Sequence, residues 1–299
     1  VPNNWSIIEE GFEADRVKSS ESLFSIGNGA MGQRANFEEQ YSGATFQGSY
    51  IAGVYYPDKT KVGWWKNGYP EYFAKVLNAP NWIGINVEIN GESLDLSKCK
   101  SVSNFRRELN MQEGWYQRSF QAVLQNDLEI SVHVTRFLSL DIDELGAIKY
   151  EVTPINSDAK VVFKPYLDAG IENEDTNWEE KFWETLEIKN EENAAFVVAR
   201  TLKTKFTVAT YIQNQIIVNN EIADVKPVEV SKETSKISFA YEAAATQGQT
   251  VSIHKFGGYT ISTNHKEEYL ISAAKQVLVQ ATTLGFNALL ENQKQAWAK

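Results

Sequence analysis

The sequence is poor in the residues that build metal and redox sites. It holds one cysteine, Cys99, and three histidines, His133, His254 and His265, among 299 residues. A single cysteine excludes an intrachain disulfide, which suits a reducing compartment. The histidines lie far apart and form no HxxxH pair, so we expect no metal site. A GxSxG elbow, which would mark a serine nucleophile, is also lacking.

Long apolar runs and an excess of positive charge are lacking too. No stretch approaches the roughly 20 apolar residues of a membrane helix, and the opening VPNNWSIIEE lacks the pattern of a signal peptide. The formal net charge is −10, which makes nucleic acid and anionic membranes unfavourable partners. We therefore expect a cytoplasmic protein that binds neither nucleic acid nor membrane.

The dominant pattern beyond about residue 80 has a period of two. Apolar and polar residues alternate at 128–135, 148–153 and 237–241, as in strands with one face on a core. Asn90-Gly91 suits a two-residue hairpin turn between such strands. Many strands joined by short turns, with no helix between them, predict an antiparallel sandwich or barrel.

A helical pattern replaces the alternation near residue 264. Apolar residues recur at helical spacing from Leu270 to Leu284, and Gly285 is placed to end a first helix. A second helix is predicted from Phe286 to Trp297. We expect a β domain over residues 1–263 and a helical linker over residues 264–299. The second helix has no stop signal, so we expect a further domain to follow it.

A glycine-rich segment lies between residues 21 and 39. Gly27, Gly29 and Gly32 give GxGxxG, but the flanks provide no βαβ unit, so nucleotide binding is not predicted. The glycines instead suit a tight backbone turn. Polar side chains of the same segment form either a satisfied internal network or a surface that faces a partner domain. They belong to Asn28, Arg34, Asn36, Glu38 and Glu39.

The run WWKNGYPEYFAKVLNAPNW, residues 64–82, concentrates aromatic residues. They can fill a core, stack on the faces of sugars, or form an interface. Trp64 and Trp65 are adjacent, so only one of them faces a core if the backbone is extended. We expect a protruding loop whose candidate contact residues, at the rim of a substrate site or at an interface, are Trp64, Trp65, Lys66, Asn67 and Tyr69. The end near Trp82 is expected to enter the core.

A catalytic pair of carboxylates is not evident. A glycosidase needs two carboxyl groups that face each other across a sugar. Glu9-Glu10, Glu38-Glu39 and Glu179-Glu180 are adjacent doublets, and neighbours on a strand point to opposite faces. We therefore assign no catalytic residue in this chain.

Several motifs together resemble one family. The segments ESLFSIGNGAMGQRANFEEQYSG, GSYIAGVYYPD and WWKNGYPEYFAKVLNAPNWIGINVEINGE resemble the N-terminal region of the family 65 glycoside hydrolases and phosphorylases. The run around the tryptophans is most similar to the maltose phosphorylases of that family. Asn110, where the family often has Asp, and Ala30 and Ala35 depart from the pattern, which affects the subfamily more than the family.

The resemblance implies a mainly β fold: a large antiparallel β super-sandwich, followed by C-terminal linker helices and then a catalytic (α/α) barrel. The barrel carries the acidic residue that protonates the glycosidic oxygen, and phosphate attacks the anomeric carbon from the opposite side. With maltose the products are β-glucose 1-phosphate and glucose, without any cofactor. The resemblance therefore implies a chain that is inactive alone, with the barrel of the same polypeptide and a second copy as partners, and a disaccharide and phosphate as substrates of the full enzyme.

Two alternatives stay open. The first, ranked below the maltose phosphorylase reading, is the N-terminal domain of a kojibiose or trehalose phosphorylase or of a family 65 hydrolase. A different class, a carbohydrate-binding module, predicts that Trp64 or Trp65 stacks on a sugar ring.

Overall fold

A computed structural model describes residues 4–60, 68–174 and 181–298 of the chain. Two antiparallel sheets account for most of the structure. The larger sheet has ten strands. Nine of them follow one another in space, and a tenth, β17 (Glu221–Ile222), pairs with β16 only. In spatial order the nine are β1 (Ser6–Glu10), β9 (Ser101–Asn110), β10 (Trp115–Val123), β11 (Glu129–Leu138), β12 (Leu145–Pro154), β20 (Val251–Ile261), β16 (Thr207–Val218), β15 (Ala194–Thr201) and β14 (Trp183–Glu191).

A five-stranded sheet packs against the larger one. Its order is β18 (Glu229–Lys232), β19 (Lys236–Ala245), β13 (Ala159–Asp168), β7 (Ile85–Ile89) and β8 (Glu92–Ser93). Two small sheets complete the β structure. One contains β2 (Ile26–Gly27), β3 (Met31–Gln33) and β4 (Ser49–Ile51), and the other is a hairpin of β5 (Tyr55–Lys59) and β6 (Tyr72–Val76).

The predicted alternation is visible where the two large sheets face each other. In β11, Ile130, Val132 and Val134 are fully buried, and His133 between them is partly exposed. Tyr150 of β12 meets Phe163 of β13 edge-on, with ring centroids 6.4 Å apart. One face of each sheet therefore forms the principal core.

The larger sheet is covered on its other face as well. The helix α2 (Leu270–Trp297) places Ala274, Leu278 and Phe286 against Phe137 and Phe256 of the sheet. Strands buried on both faces read as continuous apolar runs, as in AAFVV at the start of β15. The order of layers is therefore helix, large sheet, smaller sheet.

Among the residues that the structure describes, the helices lie near the two ends of the chain. A short helix α1 (Val17–Leu23) follows a 3-10 turn at Ala14–Arg16. A second 3-10 turn, Glu267–Tyr269, leads into α2. At Gly285 the backbone of α2 leaves helical geometry, with φ 75° and ψ 163°, so α2 consists of two helical stretches.

The mainly β fold with large antiparallel sheets and a long C-terminal helix confirms the predicted fold class. The Asn90-Gly91 turn joins β7 and β8, and both residues have positive φ, as this hairpin type requires.

Candidate functional site

The glycine-rich segment forms the tight hairpin of β2 and β3. Gly27 and Gly32 are directly paired, and Gly29 has a φ of 90°, which favours glycine. The buried Asn28 fixes the hairpin to the rest of the molecule. Its Nδ2 donates to the carbonyls of Ser139 and Asp143 at 2.7 and 2.9 Å, and its Oδ1 accepts from two backbone amides of the hairpin. The segment is thus built around backbone contacts.

Arg34 and Asn36 hold the next part of the same segment. The Arg34 guanidinium donates to the carbonyl of Phe46 at 2.8 Å and lies over the Phe46 ring. The Asn36 amide donates to the same carbonyl and accepts from the backbone of Gly48. Both side chains therefore tie the segment to residues 45–48.

Glu38 and Glu39 lie in a fully buried cluster of charges between the sheets. Arg118 of β10 binds both oxygens of Glu39, at 2.6 and 2.5 Å, and one oxygen of Glu38 at 2.9 Å. Arg136 of β11 binds the other oxygen of Glu38 at 2.7 Å. None of the four side chains has any exposed surface. Two carboxylates and two guanidinium groups therefore neutralise each other in the interior.

Each charged side chain of the cluster needs its oppositely charged partners. Burial disfavours the charged form of Arg118, but the two carboxylates outweigh it and hold the pKa of Arg118 well above its usual range. A paired buried charge is tolerated, whereas a buried charge that has lost its partner costs several kcal/mol. The cluster therefore fixes how residues 34–39 dock onto the large sheet, and both carboxylates are occupied by arginines.

Lys255 of β20 is a further fully buried basic residue, and the sequence alone does not mark it as a site residue. Its ammonium donates to the carbonyls of Gly84 and Tyr166 at 2.6 and 3.0 Å, and burial lowers the pKa of Lys255 well below its usual value. The alternation along a strand can reveal a buried charged residue, because the charge then stands at a position where an apolar side chain is expected. Arg118 alternates with the buried Tyr116 and Phe120, which places a charge on the apolar face of a strand.

The predicted aromatic contact residues are only partly within the described structure. Trp64, Trp65, Lys66 and Asn67 lie outside the described residues. Tyr69 is described, and 58% of its surface is exposed. Trp82, at the other end of the same run, is buried in the core beside Gly146 and Gly257.

The β5–β6 hairpin contains residues 72–76 of this run. Its charged and apolar side chains are distributed over its two faces differently from those of the central strands. Its inward face carries Asp58 and Lys75, which form a buried ion pair at 2.8 Å. Its outward face carries Tyr55, Tyr72 and Val76, which are 44%, 48% and 61% exposed. We call this outward face the aromatic face. Tyr55 also packs edge-on against Phe206, with ring centroids 5.6 Å apart. Three large and partly exposed side chains on one short hairpin are typical of a contact surface.

A second apolar surface lies where the two ends of the described chain meet. Trp5, Met111 and Trp297 line a cavity of about 380 Å³ together with Leu109 and Leu138. Gln293 of α2 donates to the carbonyl of Gly114 at 2.9 Å and accepts from the backbone of Leu140, which locks the helix beside this cavity. We call it the Trp297 cavity.

Within the part of the chain that the structure describes, no group of three or more His, Cys, Asp or Glu side chains is placed to hold a metal ion. Among the same residues, no helix is both long and apolar enough to cross a membrane. Glu38 and Glu39, whose side chains are fully buried, are engaged by arginines and so are not available as a general acid and base.

The family model for the N-terminal domain of glycosyl hydrolase family 65 matches residues 7–299. The chain belongs to this family. Maltose phosphorylase from Bacillus subtilis (strain 168) is 38% identical to it over 302 aligned positions, which cover 99% of this chain and 39% of that protein. The α,α-trehalose phosphorylase of Thermoanaerobacter brockii is 27% identical, over 98% of this chain and 38% of that protein.

A solved structure supports the fold assignment of this family 65 domain. A human-microbiome protein that carries the provisional name of kojibiose phosphorylase superposes with a TM-score of 0.86. It is 23% identical, and the match covers 98% of this chain and 37% of that one. The chain spans about two fifths of the length of the curated relatives described above.

Proposed function

We propose that the chain is the non-catalytic N-terminal domain of an inverting disaccharide phosphorylase that acts on maltose. The observation that carries the proposal is the 38% identity with a maltose phosphorylase over 99% of the chain. The neutralised carboxylates described above agree with chemistry that is located elsewhere in a longer polypeptide. The proposed setting is the cytoplasm.

The proposed reaction needs little from this domain itself. In the complete enzyme, an acidic residue of the barrel protonates the glycosidic oxygen while phosphate attacks the anomeric carbon from the opposite face. Phosphate takes the place of the water of an inverting glycosidase, so no carboxylate base is needed. The role of the β domain is then to hold the barrel and to complete the rim of the active site.

The two apolar surfaces are the proposed contact points. The Trp297 cavity lies beside the end of α2 and suits packing against a domain that continues from that helix. The aromatic face, with the adjoining residues 64–69, suits the rim of the active site or a second copy of the chain in a homodimer. Burial of apolar surface at such contacts contributes roughly 25 cal/mol per Å².

An activity measurement tests the proposal. The 299-residue chain is incubated with maltose and phosphate, and glucose 1-phosphate is measured with a coupled assay, with the Bacillus subtilis maltose phosphorylase as positive control. We expect no product from the chain alone. Product formed by the purified chain, at a rate that survives repeated purification, would show that the domain itself is catalytic.

A trehalose phosphorylase is a second candidate, because that relative also matches over 98% of the chain. The two candidates differ in the disaccharide that they consume. An assay of a longer form of the protein with each disaccharide distinguishes them. Maltose consumption without trehalose consumption supports the first, and the reverse result supports the second.

A further inference from the structure

The Trp297 cavity is open to solvent and has large apolar side chains around its mouth. Trp5, Met111 and Trp297 line it and are 55%, 39% and 38% exposed. Leu109 and Leu138 are buried in its wall. Its volume of about 380 Å³ is far above the roughly 30 Å³ that one water occupies, so it has room for a large side chain.

The polar side chains in the wall are already used within the chain. The side-chain oxygen of Asn110 accepts from the backbone amides of Gln112 and Glu113, at 3.0 and 2.9 Å. The Ser25 hydroxyl donates to the backbone carbonyl of Glu21 at 3.1 Å. The cavity therefore offers mainly apolar surface, which disfavours a sugar, a phosphate or another polar ligand, because such a ligand would lose its hydrogen bonds to water.

The wall of the cavity is held in place before anything binds. Gln293 of α2 bridges two turns of the large sheet, since it donates to the carbonyl of Gly114 and accepts from the backbone of Leu140. The Trp297 indole lies on the backbone of Gly114 so closely that no Cβ atom fits there. A preformed cavity loses little conformational entropy when it is filled, which favours binding.

The position of α2 indicates what fills the cavity. Trp297 is the last residue of α2, so the segment that follows this helix begins at the rim. The chain matches the N-terminal domain of its family and spans about two fifths of the curated relatives described above, so the proposed longer protein has a further domain after α2. A domain tethered at the rim has a high effective concentration there, which favours it over a second copy of the chain.

We infer that an apolar side chain of the domain that follows α2 inserts into the Trp297 cavity. Insertion removes the exposed parts of Trp5, Met111 and Trp297 from water and needs no hydrogen bond from the wall. The inference rests on the proposed function, because the following domain is part of that proposal. It adds the chemistry of the contact, in which the cavity receives a side chain and not a sugar or phosphate.

The test measures how fast a thiol at the mouth of the cavity reacts with a maleimide. Met111→Cys places the thiol there, and burial raises the pKa of the native Cys99 to about 11, so Cys99 reacts slowly near neutral pH. We expect the new thiol to react about tenfold more slowly in a longer form of the protein than in the 299-residue chain, because the inserted side chain covers it. Gln247→Cys, on an exposed turn beside the other end of β12, is the matched control and should react equally fast in both.

A second reporter tests whether the contact is apolar. Trp5→Cys places the thiol at another position of the mouth, and either Met111→Asp or Met111→Leu is combined with it. In the longer form, the variant with Asp should react about tenfold faster than the variant with Leu, because a carboxylate loses its water when it is covered by an apolar side chain. If Met111→Cys fails to fold, Trp5→Cys takes its place with the same expected protection.

The outcomes separate the inference from the proposed function. Equal reaction rates in the two forms would overturn the inference, and they would leave the proposed function standing if the longer form releases glucose 1-phosphate. Protection in a longer form without that activity would support the inference and refute the proposed function. Protection of the 299-residue chain itself at high protein concentration would show that a second copy fills the cavity, and protection that survives Met111→Asp would show that the contact is not apolar. Either of these two results would overturn the inference.

Discussion

The central strands and the β5–β6 hairpin differ in which side chains they turn toward the interior. Along most of β11 and β12 apolar side chains such as Ile130, Val132 and Val134 point inward, and polar ones such as His133 point to the other face. In the hairpin the ion pair Asp58–Lys75 points inward, and Tyr55, Tyr72 and Val76 point outward. A two-stranded hairpin has little stability of its own, and large exposed side chains on it are typical of a contact surface.

The two regions also differ in how they use buried charge. Glu38, Glu39, Arg118 and Arg136 join a loop to the large sheet from within the core. The Asp58–Lys75 pair instead sits beneath the hairpin, next to Tyr56 and Phe182, whose ring centroids are 4.5 Å apart. The first cluster organises the fold, and the second positions a surface.

The largest effect is expected in the core cluster. Arg118→Met leaves two carboxylates buried without their main partner, which should lower the free energy of unfolding by about 3–5 kcal/mol. Urea denaturation followed by tryptophan fluorescence measures the change. Arg106→Met, at a partly exposed pair with Glu108, is the control and should cost less than about 1 kcal/mol. Equal losses in the two variants would contradict a special role for the cluster.

A smaller but clear effect is expected where Trp82 packs on the large sheet. A Cβ atom at Gly257 would lie 2.8 Å from the Trp82 ring and 2.7 Å from the carbonyl oxygen of Tyr211. Gly257→Ala should therefore destabilise the chain by about 1–3 kcal/mol. Gly27→Ala, where the nearest atom is 3.4 Å from the new Cβ, should change stability much less. Thermal melts of both variants check this, and similar melting temperatures would contradict it.

Much of this core could be predicted from the sequence, because strict alternation at 128–135 and 148–153 specifies which side chains are buried. Trp82, at the end of the aromatic run that was expected to enter the core, is buried as predicted. The paired arginines were harder to predict. Arg118 lies on the apolar face of its strand, but only the fold shows that Glu38 and Glu39, some 80 residues earlier in the chain, meet it there.

The inverted hairpin could not be predicted either. Tyr72, Phe73 and Val76 have the composition of a core strand, and the period of two does not say which face a sheet turns inward. The pairing of Asp58 with Lys75 on the inward face joins two different strands, and the pattern within one strand does not show it.

A histidine is buried between the large sheet and the helix, and the pH dependence of stability tests its burial. His254 packs under Phe286, with ring centroids 5.4 Å apart, and burial, with a smaller effect of Lys149, lowers the pKa of His254 to about 4. An unfolded histidine titrates near 6.5. Between these values the unfolded chain binds more protons, so this contribution to stability is present above pH 6.5 and is lost as the pH falls.

His254→Gln isolates this contribution. Because the side chain is partly screened, we expect the wild type to lose about 1–2 kcal/mol more than the variant between pH 7 and pH 5. Urea titrations of both proteins at the two pH values give the difference. A constant difference between the two proteins across this range would contradict the burial of a neutral His254.

The smallest effect on the isolated chain is expected at the aromatic face. Tyr72→Ser should change the free energy of unfolding by no more than about 0.5 kcal/mol, because the side chain is half exposed. Tyr56→Ser, one strand away on the inward face, is the matched control and should cost about 3 kcal/mol or more. If Tyr72→Ser destabilised the chain as much as Tyr56→Ser, the aromatic face would belong to the core of this domain.

The most direct test of the central claim joins this chain to the part of Bacillus subtilis maltose phosphorylase that follows the matched region. Release of glucose 1-phosphate from maltose and phosphate is then measured for the fusion, for the fusion with Tyr72→Ser, and for the 299-residue chain alone. We predict product from the fusion, less product from the Tyr72→Ser fusion, and none from the chain alone. Product from the chain alone, or a correctly folded fusion without activity, would contradict a supporting role for this domain.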